Sequence, residues 1–159
     1  MTGIDATAPD EAFIRRTFAI AASSVEHGNH PFGALLVHDG EVILEAENTV
    51  MRTGDPTQHA EMNLVREALR RFDPLIVRAA TLYTSTEPCA MCCGAIYWAG
   101  IPAVVYGCGA EVLSGSLAVT SRSVFEKGDR PTAVTGPVLQ DEGVPLHKAF
   151  WPTLEAGLG

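Results

Sequence analysis

No stretch of about 18 apolar residues occurs in the chain, so no segment has the length and character of a membrane-spanning helix. The N-terminus, Met1-Thr2-Gly3-Ile4-Asp5, lacks the basic and apolar regions of a secretory signal. Basic residues are scarce: 11 Lys and Arg stand against 19 Asp and Glu, for a formal net charge of −8. That balance argues against a polynucleotide partner, whose affinity rests on clustered Lys and Arg. Cysteine is rare as well. Of 4 cysteines, three fall at Cys89, Cys92 and Cys93, with Cys108 further on. This layout suits a metal better than two disulfides, and a reducing cytoplasm is the expected compartment. No internal repeat, low-complexity tract or linker interrupts the chain.

What remains is a globular composition, 47% hydrophobic and 19% charged over 159 residues. That length predicts a single domain, 1–159, large enough to bury a core. From Asp10 to about His27, Phe13, Ile14, Thr17, Phe18, Ala21 and Val25 recur at helical spacing, and Gly28 is a natural stop. Ala34–Val37 and Glu41–Ala46 read as a hairpin about Asp39-Gly40. A second helix is expected from about Gln58 to Arg70, with Thr57 as its N-cap. Ala80–Ser85 reads as a strand, and a third helix is expected from Pro88 to about Trp98, Pro being favoured at a first helical position. Ala103–Tyr106 and Thr132–Val138 complete the strands, and Glu142 to about Leu154 reads as a terminal helix. Alternating strands and helices predict an α/β fold with helices on both faces of one sheet.

Two short stretches carry the chemistry: His59-Ala60-Glu61 and Pro88-Cys89-Ala90-Met91-Cys92. A catalytic zinc takes three protein ligands and leaves its fourth position to water. His59, Cys89 and Cys92 fit that count, and two thiolates with a neutral imidazole roughly balance the ion's charge. Cys89 and Cys92, three apart, share one side of a helical first turn, where the dipole favours thiolate. Glu61 is close enough to stand beside bound water without being a ligand, where it can move protons. Cys93 points about 100° around the helix from Cys92; it and Cys108 read as packed thiols.

Together the two stretches resemble the zinc-dependent cytidine and deoxycytidylate deaminase superfamily, whose signature is H-x-E followed by P-C-x-x-C. The resemblance covers about residues 10 to 110. It implies a three-layer α-β-α, cytidine-deaminase-like fold with a five-stranded mixed sheet. It also implies Zn²⁺ as cofactor and hydrolytic release of ammonia from an aminated ring, with Glu61 carrying the proton to a ring nitrogen and then to the leaving amine. Tyr83-Thr84-Ser85-Thr86-Glu87-Pro88-Cys89 and Gly94–Ala99 are similar to bacterial guanine deaminases.

For substrate contacts the resemblance points to Asn48, the Ala60 amide, Phe32, His30, Glu111 and Trp151 with its neighbour Phe150. Several have a plainer reading: turn capping for Asn48, core packing for Phe32 and the C-terminal aromatics, a surface loop for His30. The alternative enzyme that the resemblance leaves open is a tRNA adenosine deaminase: Asp55-Pro56-Thr57 is shared with it and with guanine deaminases alike, and Gly115-Ser116-Leu117 is similar to the tRNA enzymes. The segment from Ser114 to Val124 lacks the acidic Gly-Phe-Asp pattern of many guanine deaminases, so cytosine and triazine substrates stay open beside guanine. A non-catalytic zinc module is the alternative of another class; a fourth protein ligand would mark it. The expected partners are a small heterocyclic amine and a second copy of the chain, paired through the helix at Ala95-Ile96-Tyr97-Trp98, with no nucleic-acid polymer and no membrane.

Overall fold

Adjacent residues in the strands are buried on opposite sides: Leu35 and Leu36, Leu82 and Tyr83, Val104 and Val105. Side chains alternate faces along a strand, so such pairs require cover on both sides of the sheet. The computed structural model, which describes residues 8–113 and 119–151, supplies it. Five strands, β1 (Gly33–His38), β2 (Glu41–Glu47), β3 (Thr81–Thr86), β4 (Ala103–Cys108) and β5 (Ala133–Thr135), lie in the order β2-β1-β3-β4-β5. β1 pairs antiparallel with both β2 and β3, whereas β3–β4 and β4–β5 are parallel, so the sheet is mixed as expected.

Seven helices accompany the strands among the described residues: α1 (Ala8–Glu26), α2 (Val50–Thr53), α3 (Ala60–Arg71), α4 (Pro74–Val77), α5 (Ala90–Ala99), α6 (Ser121–Phe125) and α7 (Gln140–Phe150). On one face Leu36, Leu82 and Val104 pack with Leu64 and Val65 of α3, Ile96 of α5 and Phe125 of α6. On the other, Leu35, Tyr83 and Val105 pack with Ile14 and Phe18 of α1, with Val144 and Leu146 of α7 against them. Tyr83 also donates to Asp10 Oδ1 at 2.5 Å, tying β3 to α1.

Close approach on the α1 face depends on two glycines. A Cβ on Gly107 would lie 2.6 Å from the Phe18 ring, and one on Gly143 would lie 2.7 Å from the same ring and 2.5 Å from Cys108 Sγ. The Phe18 ring therefore occupies a slot between β4 and α7 that only glycine leaves open.

Several expected boundaries move, each for a local reason. Thr57 does not cap α3: its N–H and hydroxyl both bond Asp55 Oδ1, at 2.9 and 2.7 Å, and His59 takes the N-cap position. Pro88 is not the first residue of α5, because Cys89 stays extended (φ −69°, ψ 171°) and is the N-cap. Val25, expected on the buried stripe of α1, is 36% exposed in its last turn. Pro145 lies inside α7, which starts at Gln140, ahead of the expected Glu142. The short helices α2, α4 and α6 were not expected; α4 is capped by Asp73, which accepts from the Leu75 N–H. Met1–Asp5, Gly115–Leu117 and the expected end of the terminal helix near Leu154 lie outside the described residues.

Candidate active site

β3 ends at Thr86 and delivers Cys89 as the N-cap of α5, while the loop after β2 delivers His59 as the N-cap of α3. Neither cap residue bonds its own helix through its side chain. Both are free to face the point where the two helix starts meet. Cys92, in the first turn of α5, joins them. Its Sγ and that of Cys89 each lie 3.6 Å from His59 Nδ1.

These distances test the fit of a metal. In a tetrahedral zinc site with Zn–S of about 2.3 Å and Zn–N of about 2.0–2.1 Å, the S···N edges are about 3.6 Å. Both observed edges match. Among the described residues the three ligand atoms form one group within 4.8 Å, and it holds no fourth protein ligand. A closed structural zinc site would need one. The Cys89 thiol is drawn down to about 4, first by hydrogen bonding from Cys92 and then by His59, against the opposing cost of burial. Cys92 is pushed up, chiefly because it gives its hydrogen bond to Cys89. Of the two, Cys89 has the surroundings that favour the thiolate, the form that binds metal.

Glu61 follows in the first turn of α3 and is 5% exposed. Burial raises its pKa, opposed by a 2.6 Å hydrogen bond from Thr84 Oγ1 to Oε1. Its other oxygen lies 3.6 Å from Cys92 Sγ. Beside this group opens a cavity of about 360 Å³ lined by Phe32, His59, Glu61, Thr86, Glu87, Cys89, Met91 and Leu113. A buried carboxylate beside the three ligand atoms, in a largely apolar cleft, has the means to move a proton.

The other expected contacts divide. Phe32 lines the cavity and packs on the ring of His147, centroids 5.5 Å apart. Ala60 is the first residue of α3, so its N–H lies outside the intrahelical ladder. Asn48 is 2% exposed, and its Oδ1 accepts from the Val50 N–H at 3.0 Å. That contact is the capping one, and Asn48 is not among the residues that line the cavity. His30 and Trp151 are not among the lining residues; their rings pack on each other at 5.2 Å, with Phe150 beside both. Glu111 is not brought to the cavity. Its exposed carboxylate folds back against Gly109 in a turn of 3₁₀ helix.

Three residues at the site had no assigned role in the sequence reading. Thr84 holds Glu61. Glu87 lines the cavity and clasps the segment beyond β4, accepting from the Ala110 N–H at 3.2 Å and from the Ser121 N–H and hydroxyl at 3.0 and 2.7 Å. His147, 2% exposed on α7, meets Thr86 Oγ1 through Nε2 at 3.0 Å. The one available signal was the strand period: Thr84 and Thr86 are two apart and so share a face just before the Cys89 motif. Cys93 and Cys108 are packed thiols as expected, both raised to about 12 by burial first.

A family model for the cytidine and deoxycytidylate deaminase zinc-binding region matches residues 7–108. The chain is 34% identical over 163 residues to a probable cytosine deaminase of Schizosaccharomyces pombe, covering 95% of this chain and 98% of the relative. It is 44% identical over 97 residues to the guanine deaminase of Bacillus subtilis, covering 60% of this chain and 62% of the relative. Among solved structures, one from work on A-to-I editing by tRNA:A34 deaminases superposes with a TM-score of 0.71 at 30% identity, over 85% of this chain and 98% of that one.

Proposed function

The chain belongs to the cytidine and deoxycytidylate deaminase family, whose members are zinc-dependent deaminases, and on that premise we propose that its substrate is a free aminated nucleobase. The observation that carries the reading is the apolar cavity beside Glu61 and the His59, Cys89, Cys92 group. His59 Nδ1 and the two sulfurs would hold the zinc. When bound, the ion supplies Lewis acidity that brings the pKa of water from about 15.7 to about 7.

The chain's own residues supply the rest. Glu61 takes a proton from water as the water oxygen adds to the ring carbon bearing the amine. It passes that proton to a ring nitrogen, takes the second proton from the hydroxyl of the adduct and gives it to the departing amine; the C–N bond breaks, ammonia leaves and the hydroxyl oxygen remains as a carbonyl. Phe32 offers a stacking face. The Ala60 N–H and the Asn48 amide offer donors to a ring carbonyl or nitrogen. Met91 and Leu113 keep water from the ring. His30 and Trp151, with Phe150, form an aromatic group near the cavity that would cover it from the α7 side.

Guanine is the first base to test, because the Tyr83–Cys89 and Gly94–Ala99 stretches match bacterial guanine deaminases. Cytosine is the second reading, favoured by the likeness to a cytosine deaminase over nearly the whole chain and by Glu111 turning away from the cavity. A polynucleotide is disfavoured by the −8 charge and by the exposed basic residues of α3, where Arg70 and Arg71 both pair with Glu67. The test is ammonia release from guanine, cytosine, ammeline, their nucleosides where these exist, and an anticodon stem-loop, at low and high salt. Turnover of the stem-loop alone, falling steeply with salt, would reverse the proposal.

A further inference from the structure

Glu61 presents two oxygens in different surroundings. Oε1 accepts from Thr84 Oγ1 at 2.6 Å, whereas Oε2 lies 3.6 Å from Cys92 Sγ. Thr84 is fully buried in β3, the central strand, and its hydroxyl has a second acceptor, Thr86 O, at 3.3 Å. A hydroxyl has a single proton, and the shorter bond to a carboxylate is the stronger claim on it. Cys92 as a metal ligand is a thiolate, with no proton to give. Oε2 then has no side-chain donor among the described residues, and Oε1 has one.

We propose that Thr84 is a positioning residue for the deamination. By holding Oε1 it fixes the rotation of the Glu61 carboxylate and presents Oε2 to the cavity as the oxygen that takes up and returns the proton. The inference rests on the functional reading above. The strand supplies what this needs: Thr84 pairs across β1 to Ala34 and across β4 to Tyr106, so its backbone is held on both sides. A carboxylate freed from this bond keeps its burial but loses its defined rotation, and proton transfer depends steeply on such alignment.

The test uses zinc-loaded protein and three variants, Thr84→Val, Thr84→Ser and Thr84→Ala. Valine keeps the shape of threonine without the hydroxyl; serine keeps the hydroxyl. The expected result is a fall in kcat of about ten- to a hundredfold in Thr84→Val, the scale of one hydrogen bond to a charged group. KM should stay within about twofold and zinc per chain should be unchanged, since Thr84 touches neither substrate nor metal; kcat in Thr84→Ser should be near wild type. Crystal structures should show the Glu61 carboxylate turned or spread over two orientations in Thr84→Val alone. If that variant does not fold, Thr84→Ala takes its place with the same expectation. Unchanged kcat, a change confined to KM, loss of zinc, or failure of serine to restore turnover would each overturn the assignment. Should the wild-type protein release ammonia from none of the bases, the functional reading fails separately. The positioning claim is then judged on the Glu61 orientation alone, and an unmoved carboxylate defeats it.

Discussion

Replacing Glu61 by glutamine is the sharpest single perturbation of the site, and the structure sets what should and should not change. Gln is nearly the same size, and its carbonyl oxygen can accept the Thr84 hydroxyl in place of Oε1. Its amide nitrogen would take the place of Oε2, 3.6 Å from Cys92 Sγ, where it can donate weakly to a thiolate. The ligand atoms of His59, Cys89 and Cys92 form their group without Glu61, so zinc should stay at about one per chain. The fold should also stay, because a buried carboxylate with an unfavourable desolvation cost becomes a neutral, hydrogen-bonded amide. Proton transfer is lost outright. General acid–base catalysis contributes about 10²–10⁴ in rate, which at about 1.36 kcal/mol per decade is roughly 3–5 kcal/mol of barrier. The assay is ammonia release under saturating base, with elemental analysis and thermal denaturation on the same samples. A glutamine variant within about threefold of wild-type kcat would refute the role of Glu61, and one that lost its zinc would make Glu61 a ligand.

Other expectations follow from the same geometry. Cys89→Ser and Cys92→Ser should each lose most of the zinc, and chelation of the wild type should lower its Tm; full zinc in either variant would remove that ligand from the set. Gly107→Ala should destabilise by about 1–3 kcal/mol and lower Tm by roughly 2–12 °C, because its Cβ would press on the Phe18 ring and on the Ser85 carbonyl at 2.8 Å; a matching Phe18→Leu should recover part of the loss, and an unaltered Tm would count against the slot. Burial holds His147 down at about 4, below the unfolded value near 6.5, so its contribution is present above pH 6.5 and drains away as pH falls through the folded pKa; at about 1.36 kcal/mol per unit this is roughly 3 kcal/mol. Zinc-loaded wild type should therefore lose stability between pH 6.5 and 4 faster than His147→Gln, and parallel curves would refute it. Trp98 is 80% exposed on α5 beside half-buried Tyr97, so a homodimer through this face should be weakened by Trp98→Glu; a wild-type monomer at all concentrations in sedimentation would end that expectation.

The metal group was legible because its spacing is short and its chemistry leaves few readings. The sheet was legible because Leu35-Leu36 and Val104-Val105 can be buried only between two layers. Ile96 shows the limit of such reading. It was expected at a dimer face with Trp98, but it is fully buried in the α3–α5 core, because residues two apart point to different sides of a helix. For the supporting residues the strand period gave a shared face for Thr84 and Thr86, but not their partners. Thr84 meets Glu61 across 23 residues, Glu87 meets Ser121 across 34, and Thr86 meets His147 across 61. No local pattern announces a partner at those distances. Thr57 failed for the opposite reason: its capping signal was real, but Asp55, two residues away, used the hydroxyl first.

The glycine slot around Phe18 divides the site between two layers. His59, Cys89 and Cys92 belong to α3 and α5 on one face of the sheet, while His147 reaches Thr86 and Phe32 from α7, which is seated against the other face. α7 touches the cavity only from behind, through the contacts of His147 with Thr86 and Phe32, and contributes none of the three ligands. Zinc retention and the support behind Phe32 and Thr86 therefore draw on elements from opposite faces of the sheet.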